Sequence, residues 1–267
     1  MNENALKLPS APLPPSEMSG NPNLEILFGA GVSIILMGFI IYSVYYWKKT
    51  RSPIGMLMLL GGVVTCLTEP FADGVGLLWF PVKDVLFDPI IKGFGVGVPW
   101  WVVLGYTWYL GGMPFIVYKA IDRGITPKGL AKLAIIIAVA DIVLETSGVN
   151  MGVYTYYGNQ PLELFGMPWW WPINGGISTI GMGTLLYKYR DHLQGLKSLL
   201  IIPLIPSLYM TIIAFESWPI WITLNNGSSL LWTNAAALWS IGLTLILFWV
   251  FATELRKINA QKNGPAV

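Results

Sequence analysis

Seven stretches of mostly apolar residues alternate with short polar segments along the chain, at 25 to 47, 53 to 72, 97 to 119, 128 to 147, 167 to 187, 195 to 217 and 230 to 254. A hydrocarbon core of about 30 Å needs about 20 residues of helix at 1.5 Å per residue. The pattern therefore predicts an all-α fold, a polytopic bundle of seven transmembrane helices over residues 25–255. Residues 1–24, with Pro12, Pro14, Pro15 and Pro22, are expected to form a flexible extracytoplasmic tail, and residues 256–267 a short cytoplasmic one. The pattern also repeats. Gly97-Val98-Pro99-Trp100-Trp101 opens the third stretch and Gly166-Met167-Pro168-Trp169-Trp170 the fifth, 69 residues later, while Tyr118-Lys119 and Tyr187-Lys188 close them at the same interval. Stretches 1 and 2, 3 and 4, and 5 and 6 read as three hairpins of one orientation, each ending at a glutamate, with the seventh left over.

Composition agrees with a lipid environment: 54% of residues are hydrophobic and 11% charged, with a mean hydropathy of +0.60. Charge then orients the bundle. Thirteen of the 16 Lys and Arg residues fall at one set of helix ends, from Lys48, Lys49 and Arg51 to Arg256, Lys257 and Lys262, leaving Lys7, Lys83 and Lys92 for the other. By the positive-inside rule the N-terminus is extracytoplasmic and the C-terminus cytoplasmic. The first residues lack the charged start and apolar core of a cleavable signal peptide. The single cysteine, Cys66, rules out an intrachain disulfide.

Several chemistries are excluded by what is missing. One histidine, His192, and one cysteine supply no haem, zinc or His-rich iron site, so no metal and no cofactor is expected. The last stretch has no lysine for a retinal Schiff base. Gly93, Gly95 and Gly97 lack the strand-to-helix setting of a dinucleotide loop and read as a flexible approach to the membrane. No Asp-rich motif suggests a magnesium-held diphosphate, and nothing suggests a nucleic-acid partner. Asn226-Gly227-Ser228 is a formal glycosylation acceptor.

The candidate chemistry lies in the carboxylates. Glu69, Glu145 and Glu216 each end an apolar stretch, at intervals of 76 and 71 residues, and a carboxylate at membrane depth is costly enough to suggest function. Glu69 with Asp73, and Asp141 with Glu145, are spaced i, i+4, which places each pair on one helical face about 6 Å apart. Two acids so close in a low dielectric do not easily both ionise, so one of each pair is expected to keep its proton and serve as a donor beside a ready base. Candidate catalytic residues are thus Asp141, Glu145, Glu69 and Glu216.

Ten of the 13 tryptophans fall on the same side as these acids, more than an interfacial belt requires. Trp100, Trp101, Trp108, Trp170 and Trp171, with Tyr154 and Tyr156, are candidates to line a substrate pocket, since aromatic faces stabilise a cation without attacking it. Pro172 and Asn174 are expected to interrupt the fifth helix, leaving Asn174 free to bind substrate. Pro70 and Pro219, close after glutamates, either open a cavity or end a span. The small residues Gly175, Gly176, Ser178, Gly181 and Gly183 suit helix packing.

Glu145, Gly148, Gly152, Tyr154, Tyr156, Gly166, Pro168 and Pro172 resemble the E-x-x-G, G-x-Y-x-Y, G-x-P pattern of carotenoid hydratase-like and carotenoid biosynthesis membrane proteins. The seven-span, carboxylate-bearing plan is also similar to that of the small integral-membrane terpene cyclases of fungal meroterpenoid pathways. The resemblance implies that an acidic residue protonates an epoxide, with Glu69 standing where such cyclases keep a glutamate. Their late acidic residue has no counterpart inside the seventh stretch, because Glu254 lies at the opposite end, and the lycopene-cyclase P-x-E-E/D motif is absent.

Taken together, the expectation is a membrane enzyme for acid-catalysed cyclisation, hydration or isomerisation of an isoprenoid, terpenoid or related apolar lipid drawn from the bilayer. A proton-coupled transporter and a non-catalytic lipid-binding protein are the alternatives. The first would need charge along a path across the bilayer, and the second would make the carboxylates dispensable.

Overall fold

The computed structural model of the protein describes residues 11–263, and helices dominate it. Helix α1 (Pro22–Thr50) starts at Asn21, whose side chain accepts from the amides of Asn23 and Leu24, and Pro22 sits at the first helical position, where no amide hydrogen is needed. Residues 11–21, expected as part of a flexible tail, are tied down in part: Gly20 N–H donates to the Lys83 carbonyl at 2.8 Å and Lys83 pairs with Glu17 at 2.6 Å. Residues 1–10 and 264–267 of the expected tails lie outside the described residues.

Helix α2 (Ile54–Gly76) tightens to a three-residue turn at Cys66–Thr68 and resumes at Glu69, so Pro70 falls in a fresh first turn and does not end it. Glu69 and Asp73 therefore both lie within helix. Helix α3 (residues 100–122) widens over Thr107–Gly112 into a turn with i→i+5 bonding between two α-helical segments. Helix α4 (Pro127–Asn150) is capped by Thr126, whose hydroxyl accepts from Gly129 N–H at 3.1 Å. Helix α5 (Trp170–Lys188) runs on through Pro172 and Asn174. The expected interruption is absent because Pro172 is the third residue of the helix, where amides have no intrahelical acceptor and proline is tolerated. Helix α6 (Ile201–Asn225) continues past Pro219, and α7 (Leu230–Asn263) carries on beyond 255 through most of the expected C-terminal tail.

Among the described residues, four helices are long and apolar enough to cross a membrane: α1, α2, α6 with its preceding turn (Gly195–Asn225) and α7 (Leu230–Lys262). Their outward faces carry Ile34, Leu231, Leu238 and Trp249, each more than half exposed. Helix α5 is the central element, packed against α3, α4, α6 and α7, and its Gly, Ser and Thr positions face protein on nearly every side. Gly176 sits against Ala138 of α4, Gly181 against Phe251 of α7 and Gly183 against Pro114 and Val117 of α3.

An all-α expectation overlooks six very short strands. After α2 come β1 (Leu78–Trp79), β2 (Ile91–Gly93) and β3 (Val96–Val98), leading into α3; after α4 come β4 (Thr155–Tyr156), β5 (Glu163–Leu164) and β6 (Met167–Pro168), leading into α5. β2 pairs with β3 and β5 with β6 in antiparallel hairpins turning on Phe94–Gly95 and Phe165–Gly166, all four residues at positive φ. Gly93, Gly95 and Gly97 thus belong to a tight hairpin instead of a flexible segment. β1 pairs antiparallel with β4, Leu78 opposite Tyr156 and Trp79 opposite Thr155, which joins the two connections at one end of the bundle.

Candidate functional site

Between α1 to α6, near the hairpin end, lies a cavity with about 80 Å³ open to the centres of water-sized molecules. Among the groups lining it are four carboxyls, Glu69 and Asp73 from α2 and Asp141 and Glu145 from α4, and no Lys, Arg or His. Its remaining wall is largely apolar and aromatic, with Phe28, Phe80, Trp101, Tyr154, Trp171 and Tyr209 prominent. Such a chamber, mostly apolar with a few convergent polar groups, is the arrangement expected of a ligand site.

Each acid pair occupies one face of its helix one turn apart, as i, i+4 spacing requires, but their partners differ. Asp141 accepts from the Tyr109 hydroxyl at 2.9 Å. Glu145 Oε2 accepts from two phenols, Tyr156 at 2.8 Å and Tyr154 at 3.0 Å, the latter sharing its hydrogen with the Glu145 carbonyl oxygen at 3.1 Å. The Glu69 and Asp73 carboxyls lie one helical turn apart on the cavity wall, and Glu69 Oε2 and Asp73 Oδ2 have no hydrogen-bond partner although both residues are buried. An unpaired buried polar atom is costly, so these two oxygens mark the side of the chamber where a ligand gains most by donating or sharing a proton. Among the described residues no three His, Cys, Asp or Glu side chains are grouped to hold a metal ion.

Local structure explains the tyrosine clamp. Gly148 leaves room for the Tyr154 ring, since a Cβ there would lie 2.3 Å from ring carbon Cε1. Gly152 turns the chain at φ 68°, and the β1–β4 pairing then fixes Tyr156 beside Leu78. Tyr154 packs against Phe28, Phe80 and Trp101 at ring separations of 6.4, 5.8 and 5.9 Å. Burial, followed by the nearby Glu145 charge, pushes both phenols well above the ordinary tyrosine range, so they act as donors. The Glu145, Gly148, Gly152, Tyr154, Tyr156 pattern is thus one constellation, a carboxylate with the backbone and rings that hold it.

Not every candidate from the sequence reaches the cavity. Trp101, Trp171 and Tyr154 line it, and Tyr156 touches Glu145 from behind. Trp100 covers Gly29 and meets Phe87, Trp108 stacks on Phe39 at 6.2 Å, and Trp170 is completely buried in the core against Trp171. Asn174 donates to Ser217 at 3.0 Å and accepts from Thr244 at 2.9 Å. Glu216, wholly buried, accepts from Ser178 at 3.1 Å. Those last residues form a separate polar seam among α5, α6 and α7, because α5 presents Gly175 to the cavity and Asn174 and Ser178 to its neighbours on other faces.

Tyr109 and Tyr209 are among the lining residues that the sequence did not single out. Tyr109 sits in the widened turn of α3, which rotates the following residues relative to an ideal helix, and a hydroxyl within an otherwise apolar span was its only signal. Gly175 lets it reach Asp141: a Cβ there would stand 2.8 Å from the Tyr109 hydroxyl. Gly105 is the opposite case, for a Cβ there meets only Val32 Cγ1, at 3.9 Å. Gly105→Ala should therefore raise the thermal midpoint, by the equivalent of about 0.5–1 kcal/mol in helix propensity, whereas Gly175→Ala should lower it. A fall for both in a thermal-shift assay would contradict open space beside Gly105. No known protein family, curated protein or solved structure matches the chain.

Proposed function

We propose that the protein is an integral membrane enzyme that cyclises, hydrates or isomerises an isoprenoid, terpenoid or related apolar lipid by acid catalysis. The observation that carries this reading is the meeting of two carboxyl pairs from different helices in one aromatic, cation-free chamber. A carboxylic acid among Glu69, Asp141 and Glu145 protonates an alkene or epoxide. The faces of Trp101, Trp171 and the tyrosines shelter the resulting cation, and a neighbouring carboxylate or a water ends the reaction. The Glu145-to-Tyr156 constellation also supports the resemblance to carotenoid hydratase-like proteins, because the residues of the motif are those that meet in space.

In this reading α3, α4 and α5 cross the bilayer as well, making seven spans. The 24 residues of α4 reach about 36 Å at about 1.5 Å per residue, enough for a core of about 30 Å, and α5 need not be apolar when protein surrounds it. The order strand, hairpin, Gly-x-Pro-Trp-Trp, helix occurs after both α2 and α4, which supports repeated two-helix units. Basic residues at the other end support an extracytoplasmic N-terminus and a cytoplasmic C-terminus.

The test is expression in a host that makes diverse isoprenoids, with mass spectrometry of extracted lipids in the presence and absence of the protein. New cyclic, isomeric or hydrated products are expected. An unchanged lipid profile across many backgrounds would turn the assignment toward transport or lipid binding.

A further inference from the structure

The two acid pairs share a cavity but not an environment, and the difference assigns them opposite duties. Glu145 Oε2 receives two O–H donors, from Tyr154 and Tyr156, both at hydrogen-bonding distance. Phenols that stay protonated have a hydrogen to give and are best satisfied by an anionic oxygen with free lone pairs. Asp141 receives a single donor, from Tyr109. The α2 pair receives none: Glu69 and Asp73 are buried one helical turn apart, each with an orphaned oxygen, and no Lys, Arg or His is among the cavity's lining residues. Two neighbouring buried carboxyls with no donor and no cation do not both ionise, so the pair keeps a proton. The titratable groups around this pair are Asp141, Glu145, the Cys66 thiol and the phenols of Tyr106, Tyr109, Tyr154, Tyr156, Tyr157 and Tyr209, which offer it negative charge or neutral groups and nothing positive.

We propose that Glu69–Asp73 is the proton donor, that Glu145 held by Tyr154 and Tyr156 is the base, and that the net reaction is an isomerisation, cyclisation included, in which no water enters the product. This rests on the enzymatic reading above and narrows it.

The steps balance without any co-reactant. A proton from the α2 pair bonds to an alkene carbon, the π pair becoming a C–H bond, or to an epoxide oxygen with cleavage of a C–O bond. In a cyclisation a second alkene closes a C–C bond onto the cation. Loss of a C–H proton to Glu145 leaves a new alkene, and that proton returns across the emptied cavity to Glu69–Asp73, which lines the same cavity as Glu145. Substrate and product have the same formula. Water is displaced by the occupant itself: a space of about 80 Å³ has room for only about half a dozen waters when empty, at about 10–15 Å³ each by this measure. Tyr154 and Tyr156 are positioning residues, acting through Glu145.

Infrared spectroscopy separates this assignment from the enzymatic reading. Infrared spectra of the purified full-length chain in phosphatidylcholine nanodiscs, with no substrate, report the carbonyl stretch of protonated carboxyls at neutral pH. Glu69→Gln and, independently, Asp73→Asn should each remove such a band, and Glu145→Gln should leave it in place. The double variant Tyr154→Phe with Tyr156→Phe should add a second band, because Glu145 without its donors takes up a proton. A band lost in Glu145→Gln but kept in both α2 variants overturns the division of roles. On any new product from the host screen, deuterium from D2O without oxygen-18 from labelled water is expected, and incorporated oxygen-18 overturns the exclusion of water. Failure to find any product counts against the enzymatic reading, while the infrared pattern still decides which pair holds the proton.

Discussion

Under the proposed acid catalysis, Glu145→Gln is expected to lower product formation by about 10²-fold or more, the range over which a positioned base acts, and Asp141→Asn, one helical turn from that base, by a smaller factor, while the protein still inserts and purifies as a single species. The amides preserve shape. A glutamine oxygen at 145 accepts from Tyr154 and Tyr156 where the carboxylate did, and an asparagine at 141 accepts from Tyr109, so the hydrogen bonds of the wall survive. What disappears is the ability to take up a proton. Product yield per mole of purified protein, read beside its size-exclusion profile, separates lost chemistry from lost folding. Wild-type yield in both variants would remove these residues from the mechanism.

The largest structural effect of a single methyl group should come from Gly111→Ala. A Cβ at 111 would lie 2.4 Å from the Met58 carbonyl oxygen and 2.8 Å from Leu59 Cα, and one at Gly62 2.7 Å from the Tyr106 carbonyl oxygen. These are backbone atoms of facing helices, which have no rotamer to change, so α2 and α3 must separate. Overpacking of this kind costs about 1–3 kcal/mol or more, and each kcal/mol lowers the midpoint of a chain this size by roughly 2–4 °C. Gly31→Ala is the control, since nothing stands within 4 Å of a Cβ there. A thermal midpoint for Gly111→Ala equal to that of the control would mean that the α2–α3 contact is looser than described. Activity should fall as well, because α2 carries Glu69 and Asp73 while α3 carries Tyr109.

How far the site was legible depended on the range of the interactions that build it. The pairs at 69/73 and 141/145 could be read because i, i+4 geometry is a property of one helix, independent of its neighbours. Tyr154 and Tyr156 were legible as residues near the acids, but their role as donors to Glu145 needed the turn at Gly152 and the pairing of β4 with β1, a partner strand some 77 positions earlier. Strands of two and three residues are too short for a period-2 signal, which is why the hairpins went unseen. Pro172 misled for a different reason: its effect depends on where the helix begins, and boundaries are the least certain feature of a sequence pattern.

The chain's own pattern determined that long apolar helices form and that acids lie at one end of several of them, because segment length and helical spacing are local quantities. Which acids share a chamber was decided only by packing. Helix rotation is set by contacts between distant segments, such as Gly111 on Met58 and Gly175 beneath Tyr109. The widened turn at Thr107–Gly112 changes the phase of α3 in a way no hydropathy pattern records. So Glu216, which resembles Glu69 and Glu145 in sequence, joins Ser178 in a separate seam, and Tyr109 takes a place at the cavity beside Asp141.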